Sequence, residues 1–274
     1  MDSNNKFLSI IVATDLYVRF VPYFIYSSVY FNRMFHIDYL VFVSPGKRNY
    51  LKHLTNIYKN IKIVEVSFEQ MNELVNKSSG QKYLLYFRYL VDPSYYENYD
   101  YVLVGDVDVL VLTDLCTNRI NYMSNVSYCN RMRKVYSRYN GINRLCGCHS
   151  FKVKPYLEKY RKRILEATPE FIKKLDVIDE QLLYYIVMDD PELDIIKQNP
   201  PGFDLISGYH LGDLKRKELK WEIERTLPDV YFQNLLLLLD DPEFKKLHGI
   251  YNHKYINHMY DFLIKYKREK NITN

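Results

Sequence analysis

The sequence predicts an α/β protein whose core is a mainly parallel, Rossmann-like sheet flanked by helices. Short apolar segments rich in β-branched residues recur through the first half of the chain, each long enough for a buried strand. Longer segments of helical character separate them. Strands that alternate with helices form βαβ units, whose crossovers place the strands parallel. A chain of 274 residues has room for one large domain of this class or two small ones.

Four predicted strands and the helices between them fill the first half of the chain. The strands are FLSIIVAT (7–14), IDYLVFVS (37–44), IKIVEVSF (61–68) and DYVLVGD (100–106). The helices are predicted over residues 17–34, 47–59 and 81–91. In the second half, VSYCN and HSFKV are candidate strands, and helices are predicted over 154–167, 178–188 and after residue 215.

Composition and charge exclude several classes of protein. The 38 basic residues nearly balance the 33 acidic ones, whereas a nucleic-acid-binding protein usually has a basic excess or stripe, so no nucleic-acid partner is expected. The first residues lack a cationic stretch followed by a long apolar one, and no segment has about 20 consecutive apolar residues. We therefore expect a cytoplasmic protein with reduced cysteines. The Cys-x-Cys of CGCH (146–149) is a poor match to structural zinc sites, and cysteines packed in a core are the better interpretation.

Two carboxylates, Asp106 and Asp108, follow the apolar strand YVLV. Alternate residues of an extended segment point the same way, so both carboxylates face one spot at the end of the strand. Like charges this close repel each other unless a cation lies between them, and oxygen ligands suit Mg²⁺ or Mn²⁺. The alternative is a surface loop with two solvated aspartates. The apolar segments on both sides favour a metal site that also binds a diphosphate.

Five segments in the order ATD, YFRYL, YVLVGDVDVLV, DEQLL and HLGDLK resemble the GT-A glycosyltransferases. The resemblance is to the retaining, glycogenin- and galactosyltransferase-like family (glycosyltransferase family 8-like), and it covers about residues 7–215. It implies the GT-A fold, with a nucleotide-sugar-binding catalytic domain over residues 1–215. Residues 216–274 would then form a helical C-terminal extension that packs on this domain or on a membrane surface.

The resemblance implies which residues bind the nucleotide. Ala13, Thr14 and Asp15 would contact the base and the ribose, and Tyr17 would stack on the base. Asp15 has an alternative use as a helix N-cap, which is equally favoured. Val107, between the two aspartates, belongs to the same set of donor-binding residues.

The resemblance also implies a metal site beside the diphosphate. Asp106 would reach the metal and a ribose hydroxyl, Asp108 would bind the metal more directly, and His210 would be the third ligand. Mn²⁺ is preferred to Mg²⁺ because an imidazole nitrogen suits it better. Gly212 would let the backbone approach the diphosphate, and Lys215 would place a positive charge on the leaving phosphate.

The implied catalytic residues are Arg88, Asp179 and Gln181. Arg88 would face the sugar with its forked donors, although an exposed helical arginine is the alternative. Asp179 and Gln181 would lie beneath the anomeric carbon, with Glu180 as a substitute. Acidic residues that favour the start of a helix are an equally good explanation for this segment. His149 is a further candidate for contact with the sugar or the acceptor.

These residues together predict a metal-dependent glycosyltransferase that moves a sugar from a UDP-hexose to a glycan or lipid-linked acceptor. Retention of configuration and a role in surface polysaccharide or lipo-oligosaccharide synthesis follow from the resemblance alone. One alternative is a Mg²⁺-dependent nucleotidyltransferase or phosphohydrolase, but the segment IVATDLYVRF lacks the glycines of a phosphate loop. The other is a non-catalytic sugar-binding module.

The last helical segment, YINHMYDFLIKYKREK (255–270), is amphipathic with basic residues at its end. Basic amphipathic helices bind anionic membrane surfaces, so peripheral contact with the inner membrane face is one hypothesis. The alternative, that the segment packs on the protein itself, is slightly favoured.

Overall fold

A computed structural model of the chain describes residues 5–67, 84–130, 132–133, 143–168, 171–172, 174, 178–198, 208–211 and 229–269. By its internal contacts the chain divides into two compact units. The first comprises Met1–Val18, Met34–Val107 and Cys116–Ile206, and the second comprises Arg19–Arg33, Asp108–Leu115 and Ser207–Asn274. The predicted boundary between residues 215 and 216 lies outside the described residues and stays a prediction.

The strands and helices of the described residues are numbered in chain order. The strands are β1 (Lys6–Ala13), β2 (His36–Val43), β3 (Ile61–Glu65), β4 (Tyr101–Val104), β5 (Val109–Val111), β6 (Tyr128–Cys129), β7 (Met132–Arg133), β8 (Arg144–Leu145), β9 (His149–Lys152) and β10 (Gly208–His210). The helices are α1 (Val21–Phe31), α2 (Lys52–Ile57), α3 (Leu84–Leu90), α4 (Leu115–Tyr122), α5 (Val153–Glu166), α6 (Asp179–Val187), α7 (Glu192–Gln198), α8 (Asp229–Asp240), α9 (Pro242–Tyr251) and α10 (Lys254–Glu269).

A six-stranded sheet of order β3-β2-β1-β4-β9-β6 forms the core of the first unit. The pairs β1–β2, β2–β3 and β1–β4 are parallel, whereas β9 runs antiparallel to both β4 and β6. The mainly parallel, mixed sheet with flanking helices confirms the predicted fold class. The antiparallel strand β9 thus separates β4 from β6 at one side of the sheet.

Burial on both faces explains why β1 is a continuous apolar run. Residues 7–13 are all buried, and Ile10 lies between Leu40 of β2 and Val104 of β4. A parallel strand covered on both faces has no alternation of polar residues, which is why its sequence signal is strong. On one face the core is completed by α5, whose buried residues Val153, Tyr156, Tyr160 and Ile164 recur at helical spacing.

Several predicted elements differ in length from the observed ones. The helix predicted over 17–34 is a 3-10 turn at Tyr17–Phe20 followed by α1, whose first turn contains Pro22. Proline suits this place because a first-turn residue needs no N–H donor. Similarly, a 3-10 turn at Arg48–Leu51 precedes α2, which ends two residues before the predicted limit.

A two-stranded antiparallel sheet, β5 with β10, lies in the second unit. Gly208 of β10 faces Val111 of β5, and its φ is 153°. A Cβ at this position would lie 1.7 Å from the carbonyl oxygen of Leu110, so only glycine allows the two strands to approach this closely.

The C-terminal helices α8, α9 and α10 agree with the helical character predicted after residue 215, and the extent of the extension stays a prediction. Within the second unit they contact α1 and Leu112, the residue after β5. The hydroxyl of Tyr23 in α1 pairs with Nδ1 of His248 at 2.9 Å and accepts from the backbone N–H of His253 at 3.2 Å. The side-chain amide of Asn234 in α8 donates to the carbonyl oxygen of Leu112 at 2.7 Å. Within the described part of the chain, no helix is both long enough and apolar enough to span a bilayer.

The imidazole of His253 makes the second unit sensitive to pH. It is 7% exposed, and its Nδ1 accepts from the backbone N–H of Tyr255 at 3.3 Å. Burial, followed by the charges of Arg19, Lys254 and His248, lowers its pKa to about 4. Between about pH 6.5 and pH 4 an unfolded chain binds a proton here that the folded chain does not, so stability is present above this window and is lost as the pH falls through it.

We expect His253→Asn to flatten the pH dependence of folding. Asparagine keeps an acceptor at the start of α10 and removes the titrating group. The free energy of unfolding, measured by urea titration from pH 7 to pH 4, should fall less steeply for the variant than for the wild type. Equal slopes for the two proteins would contradict this assignment.

Candidate active site

The predicted site begins at the carboxyl end of β4, where Asp106 meets Arg88. Buried strand residues lead to Val104, and Asp106 follows two residues later. Arg88 comes from α3, where its side chain is 5% exposed among apolar neighbours. Its Nη1 donates to Oδ1 of Asp106 at 2.8 Å. Carboxyl ends of parallel strands are where ligands bind in open α/β sheets, so this pair lies at the expected edge.

Asp179 completes a cluster of three charged groups. It is the first residue of α6, and its Oδ2 accepts from Nη2 of Arg88. The guanidinium therefore bridges two carboxylates that are 73 residues apart in the chain (179 − 106 = 73). Asp179 is 11% exposed and Asp106 is 36% exposed, so solvent reaches the cluster from the Asp106 side. The structure thus brings together two predicted catalytic residues and one predicted metal ligand.

Burial alone would lower the pKa of Arg88, but its interactions with Tyr89, Asp179 and Asp106 outweigh this and raise the pKa well above its ordinary value. The arginine is permanently charged, and with two ionised partners the cluster carries a net negative charge. Nε of Arg88 is buried and has no hydrogen-bond partner among the described residues. A buried N–H without a protein partner is a donor that a bound ligand can satisfy.

Gly147, which was not predicted individually, closes the cluster on a third side. A Cβ on this residue would lie 3.1 Å from both Nη2 of Arg88 and Oδ1 of Asp106. Its carbonyl oxygen accepts from the hydroxyl of Tyr89 at 3.2 Å. The sequence drew attention to CGCH only through its cysteines and His149, so Gly147 carried no signal of its own.

Asn130 holds the segment before Gly147 in place. Its Oδ1 accepts from the backbone N–H of Cys146 at 2.9 Å, and its Nδ2 donates to the carbonyl oxygen of Cys146 at 3.0 Å. A hydrogen bond with Cys146, then burial and the charge of Asp106, raise the pKa of the Cys148 thiol. Both cysteines are free, with Cys146 buried as expected for a cysteine packed in a core and Cys148 half-buried.

His149 is a core residue and does not line the cluster. It is 1% exposed, and its ring nitrogens pair with Nδ2 of Asn130 at 3.0 Å and the hydroxyl of Tyr156 at 3.1 Å. Burial, and then the charge of Arg119, lower its pKa to about 3, so the ring is neutral. The hypothesis that His149 contacts the sugar or acceptor is therefore wrong for this structure.

Gln181 and Glu180 have partners of their own at the start of α6. Oε1 of Gln181 accepts from the backbone N–H of Ile178 at 3.0 Å, and the residue is 3% exposed. Glu180 pairs with Nη1 of Arg144 at 2.9 Å. Gln181 thus lies two residues after Asp179, with its amide oxygen engaged at the start of the helix.

The predicted nucleotide-binding residues follow β1, the parallel neighbour of β4. Ala13 is the last residue of the strand. The backbone carbonyl oxygen of Thr14 accepts from the backbone N–H of Tyr17 at 2.6 Å. The backbone N–H of Asp15 donates to Oγ of Ser44 at 3.1 Å. Helix α1 begins after Phe20 without a side-chain cap, so Asp15 does not serve as its N-cap. Tyr17 is 39% exposed, which leaves part of its ring accessible.

Asp108 lies in the second unit, next to the backbone of β10. It is 5% exposed, and its carbonyl oxygen accepts from the backbone N–H of Leu211 at 2.7 Å. His210 faces Val109 in the strand register, so it is placed on the neighbouring strand within one position of Asp108. The side chain of His210, and residues Gly212 and Lys215, lie outside the described residues.

Val107 is 3% exposed and belongs to the first unit, as does Asp106. Among the described side chains, no three His, Cys, Asp or Glu residues are grouped closely enough to hold a metal ion. The donor chemistry of the predicted set nonetheless fits Mg²⁺ or Mn²⁺, because Asp106 and Asp108 offer carboxylate oxygens two residues apart.

Comparison with known proteins places this chain among the GT-A folds. No protein-family model and no curated protein matches it. Solved structures of the galactosyltransferase LgtC do. An active-site mutant of LgtC, with glutamine replaced by glutamate, is 16% identical with a TM-score of 0.56, and the match covers 83% of this chain and 99% of LgtC. LgtC in complex with donor and acceptor sugar analogs is 15% identical with a TM-score of 0.53 and the same coverage. At this identity the likeness shows the fold.

We expect Gly147→Ala to destabilise the protein by about 1–3 kcal/mol, because the new methyl group meets an arginine that two carboxylates hold in place. Urea unfolding measures the loss. Gly249→Ala is the matched control, since nothing lies within 4 Å of a Cβ there and the residue is inside α9. That control should be neutral or should stabilise the protein by about 0.5–1 kcal/mol. Equal effects of the two substitutions would show that the cluster has room at Gly147.

Proposed function

We propose that this protein is a metal-dependent glycosyltransferase that moves a hexose from a UDP-sugar to an acceptor hydroxyl, with retention at the anomeric carbon. The observation that carries the proposal is the Arg88 bridge between Asp106 and Asp179 at the carboxyl end of β4. The bridge brings together charged groups from α3, from the end of β4 and from the start of α6. They meet at the edge of the sheet where ligands bind in this class of fold.

The divalent ion of the proposal, Mn²⁺ or Mg²⁺, would be held by Asp106, Asp108 and His210. The register of β5 with β10 supports this set, because it places His210 within one position of Asp108. When bound, the ion supplies positive charge that stabilises a leaving diphosphate. Lys215 and Gly212 are proposed to act on the same diphosphate, the lysine by its charge and the glycine by close backbone approach.

Arg88 is proposed to position Asp179 against the sugar. A carboxylate that accepts from a buried guanidinium is stabilised as an anion and is a weak nucleophile. This argues against a covalent intermediate on Asp179 and supports a front-face route, in which the leaving phosphate accepts the proton of the acceptor hydroxyl.

The nucleotide is proposed to bind across the end of β1. Asp15 would accept from the uracil imide or a ribose hydroxyl, Ala13 and Thr14 would contact base and ribose, and the exposed ring of Tyr17 would stack on the base. Val107, which lies between the two aspartates in the sequence and is buried, would hold the backbone that carries them. Gln181 is proposed to act from α6, where its Oε1 accepts from the backbone N–H of Ile178.

The acceptor is proposed to be a glycan or a lipid-linked glycan in surface polysaccharide or lipo-oligosaccharide synthesis on the cytoplasmic face of a membrane. The complex of LgtC with an acceptor sugar analog supports a sugar acceptor for this fold. Lys267 in the last turn of α10 pairs with Asp240 at 2.8 Å. The exposed Arg268 beside it is therefore the proposed contact with an anionic membrane surface.

Release of UDP from UDP-sugars in the presence of Mn²⁺ tests the proposed function. We expect slow hydrolysis or transfer by the wild type and a loss of about a hundredfold or more in Asp108→Asn, which keeps the shape and removes the ligand charge. Asp261→Asn, at an exposed position of α10, is the control and should keep full activity.

Melting curves establish that the variants are folded. A wild type that cleaves no sugar nucleotide and gains no thermal stability from UDP with Mn²⁺ would refute the transferase. Equal activity in Asp108→Asn and the control would refute the metal site.

A further inference from the structure

A cavity lies in the first unit, at the opposite end of the strands from Asp106. Its volume is about 620 Å³, and residues at the amino ends of β1, β2 and β3 line it. Ligand pockets in proteins usually have about 300–1,000 Å³, so a small organic molecule fits. None of the residues predicted to bind donor or metal lines it. We refer to it as the amino-end pocket.

The register of the sheet explains how the amino-end pocket is built. Leu8 pairs with Asp38, and Leu40 pairs with Lys62, so these four side chains share one face of the sheet. Leu8 is 3% exposed and Leu40 is 2% exposed, which gives the pocket an apolar floor continuous with the core. The acidic and basic side chains stand beside this floor, at the entrance.

The acidic group of the pocket is already engaged by protein partners. Oδ2 of Asp38 accepts from the hydroxyl of Tyr99 at 2.8 Å, and Oδ1 pairs with Nε2 of His36 at 2.9 Å. Burial, and then the interaction with Asp38, raise the pKa of Tyr99 to about 12, so its hydroxyl keeps the proton that it donates. Asp38 therefore offers little attraction to a cationic ligand.

The basic groups of the pocket have no such partners. Lys59 and Lys62 both line it and are both exposed, and neither has a carboxylate within ion-pair distance among the described residues. The ammonium of Lys62 lies 4.6 Å from the centre of the Tyr95 ring. This ring is 40% exposed, so the part of it that Lys62 does not cover is accessible next to the positive charge.

We propose that the amino-end pocket binds an anionic saccharide, a sugar that carries a carboxylate or a phosphate. The two lysines would bind the anion, and the face of Tyr95 and the leucine floor would contact the C–H groups of the ring. Ser94 and Asn60 add polar groups for sugar hydroxyls. A nucleotide would also bring an anion and a ring face, so uridine monophosphate is the competing ligand in the test. The inference does not depend on the proposed transfer reaction.

Titration calorimetry with a glucuronate-containing tetrasaccharide tests the proposal, with glucose 6-phosphate as the phosphorylated arm. Maltotetraose is the neutral sugar for comparison. Inorganic phosphate tests binding of an anion without a sugar, and uridine monophosphate tests binding of a nucleotide. We expect saturable binding of at least one acidic sugar, about tenfold tighter than binding of maltotetraose and of inorganic phosphate. Whichever acidic sugar binds identifies the anion. The proposal is overturned if neither acidic sugar shows saturable binding, or if maltotetraose binds with the same affinity as the acidic sugar. It is also overturned if uridine monophosphate binds more tightly than the acidic sugars and the Lys62 variant weakens that binding.

Variants assign the binding to the pocket. Lys62→Glu should weaken binding of the acidic sugar by about tenfold or more, and Tyr95→Ala by severalfold. Lys162→Glu makes the same charge change at an exposed residue of α5 that does not line the pocket, and it should leave the affinity unchanged. Equal losses in Lys62→Glu and Lys162→Glu would show non-specific charge attraction and overturn the site. UDP and Mn²⁺ binding, measured on the same variants, should be unaffected, so failure here is distinct from failure of the transferase.

Discussion

The structure of the first unit depends on one buried guanidinium. Arg88, on a helix packed against the sheet, pairs with Asp106 at the end of β4 and with Asp179 at the start of α6. A buried arginine is tolerated only where ionised partners compensate for its desolvation, and removal of one partner leaves a charge that the core cannot solvate. The same interaction therefore fixes α3, the loop after β4 and α6, and it holds two carboxylates beside the edge where parallel strands end. Stability and the proposed chemistry have a common origin here.

Close packing around this guanidinium restricts the neighbouring backbone. Gly147 approaches Arg88 and Asp106 so closely that a methyl group would touch both, and Asn130 holds Cys146 before it. His149 and Tyr156 continue this packing into the core. In the second unit the constraint is of another kind, because the glycine-dependent pairing of β5 with β10 sets which residues accompany Asp108. The amino-end pocket occupies the other end of the sheet, where the first residues of the strands leave polar side chains uncovered.

Much of the fold could be predicted from the sequence, because the central strands are buried on both faces and β1, β2 and β4 are therefore mostly apolar. The roles of Arg88 and Asp106 could also be predicted from the sequence, since a charge inside an apolar segment needs a partner. The pairing of Arg88 with Asp179 could not, because residues 91 positions apart are brought together by tertiary packing that no local pattern encodes. The antiparallel pairing of β6 with β9 could not be predicted because both strands are short. The effect of Gly147 could not be predicted because it depends on the atoms around it in the folded chain. His149 was misassigned because its polar ring is satisfied by core partners that the sequence does not reveal.

A double-mutant cycle on Arg88 and Asp179 tests the central claim most directly. The free energy of unfolding is measured by urea titration for wild type, Arg88→Met, Asp179→Asn and the double variant. We expect a coupling of about 1–3 kcal/mol, because the two side chains share a buried, charge-assisted contact. The exposed pair of Arg161 with Glu97, 2.7 Å apart, is the control and should couple by less than about 1 kcal/mol. Additive effects of Arg88→Met and Asp179→Asn, within about 0.3 kcal/mol, would contradict the account.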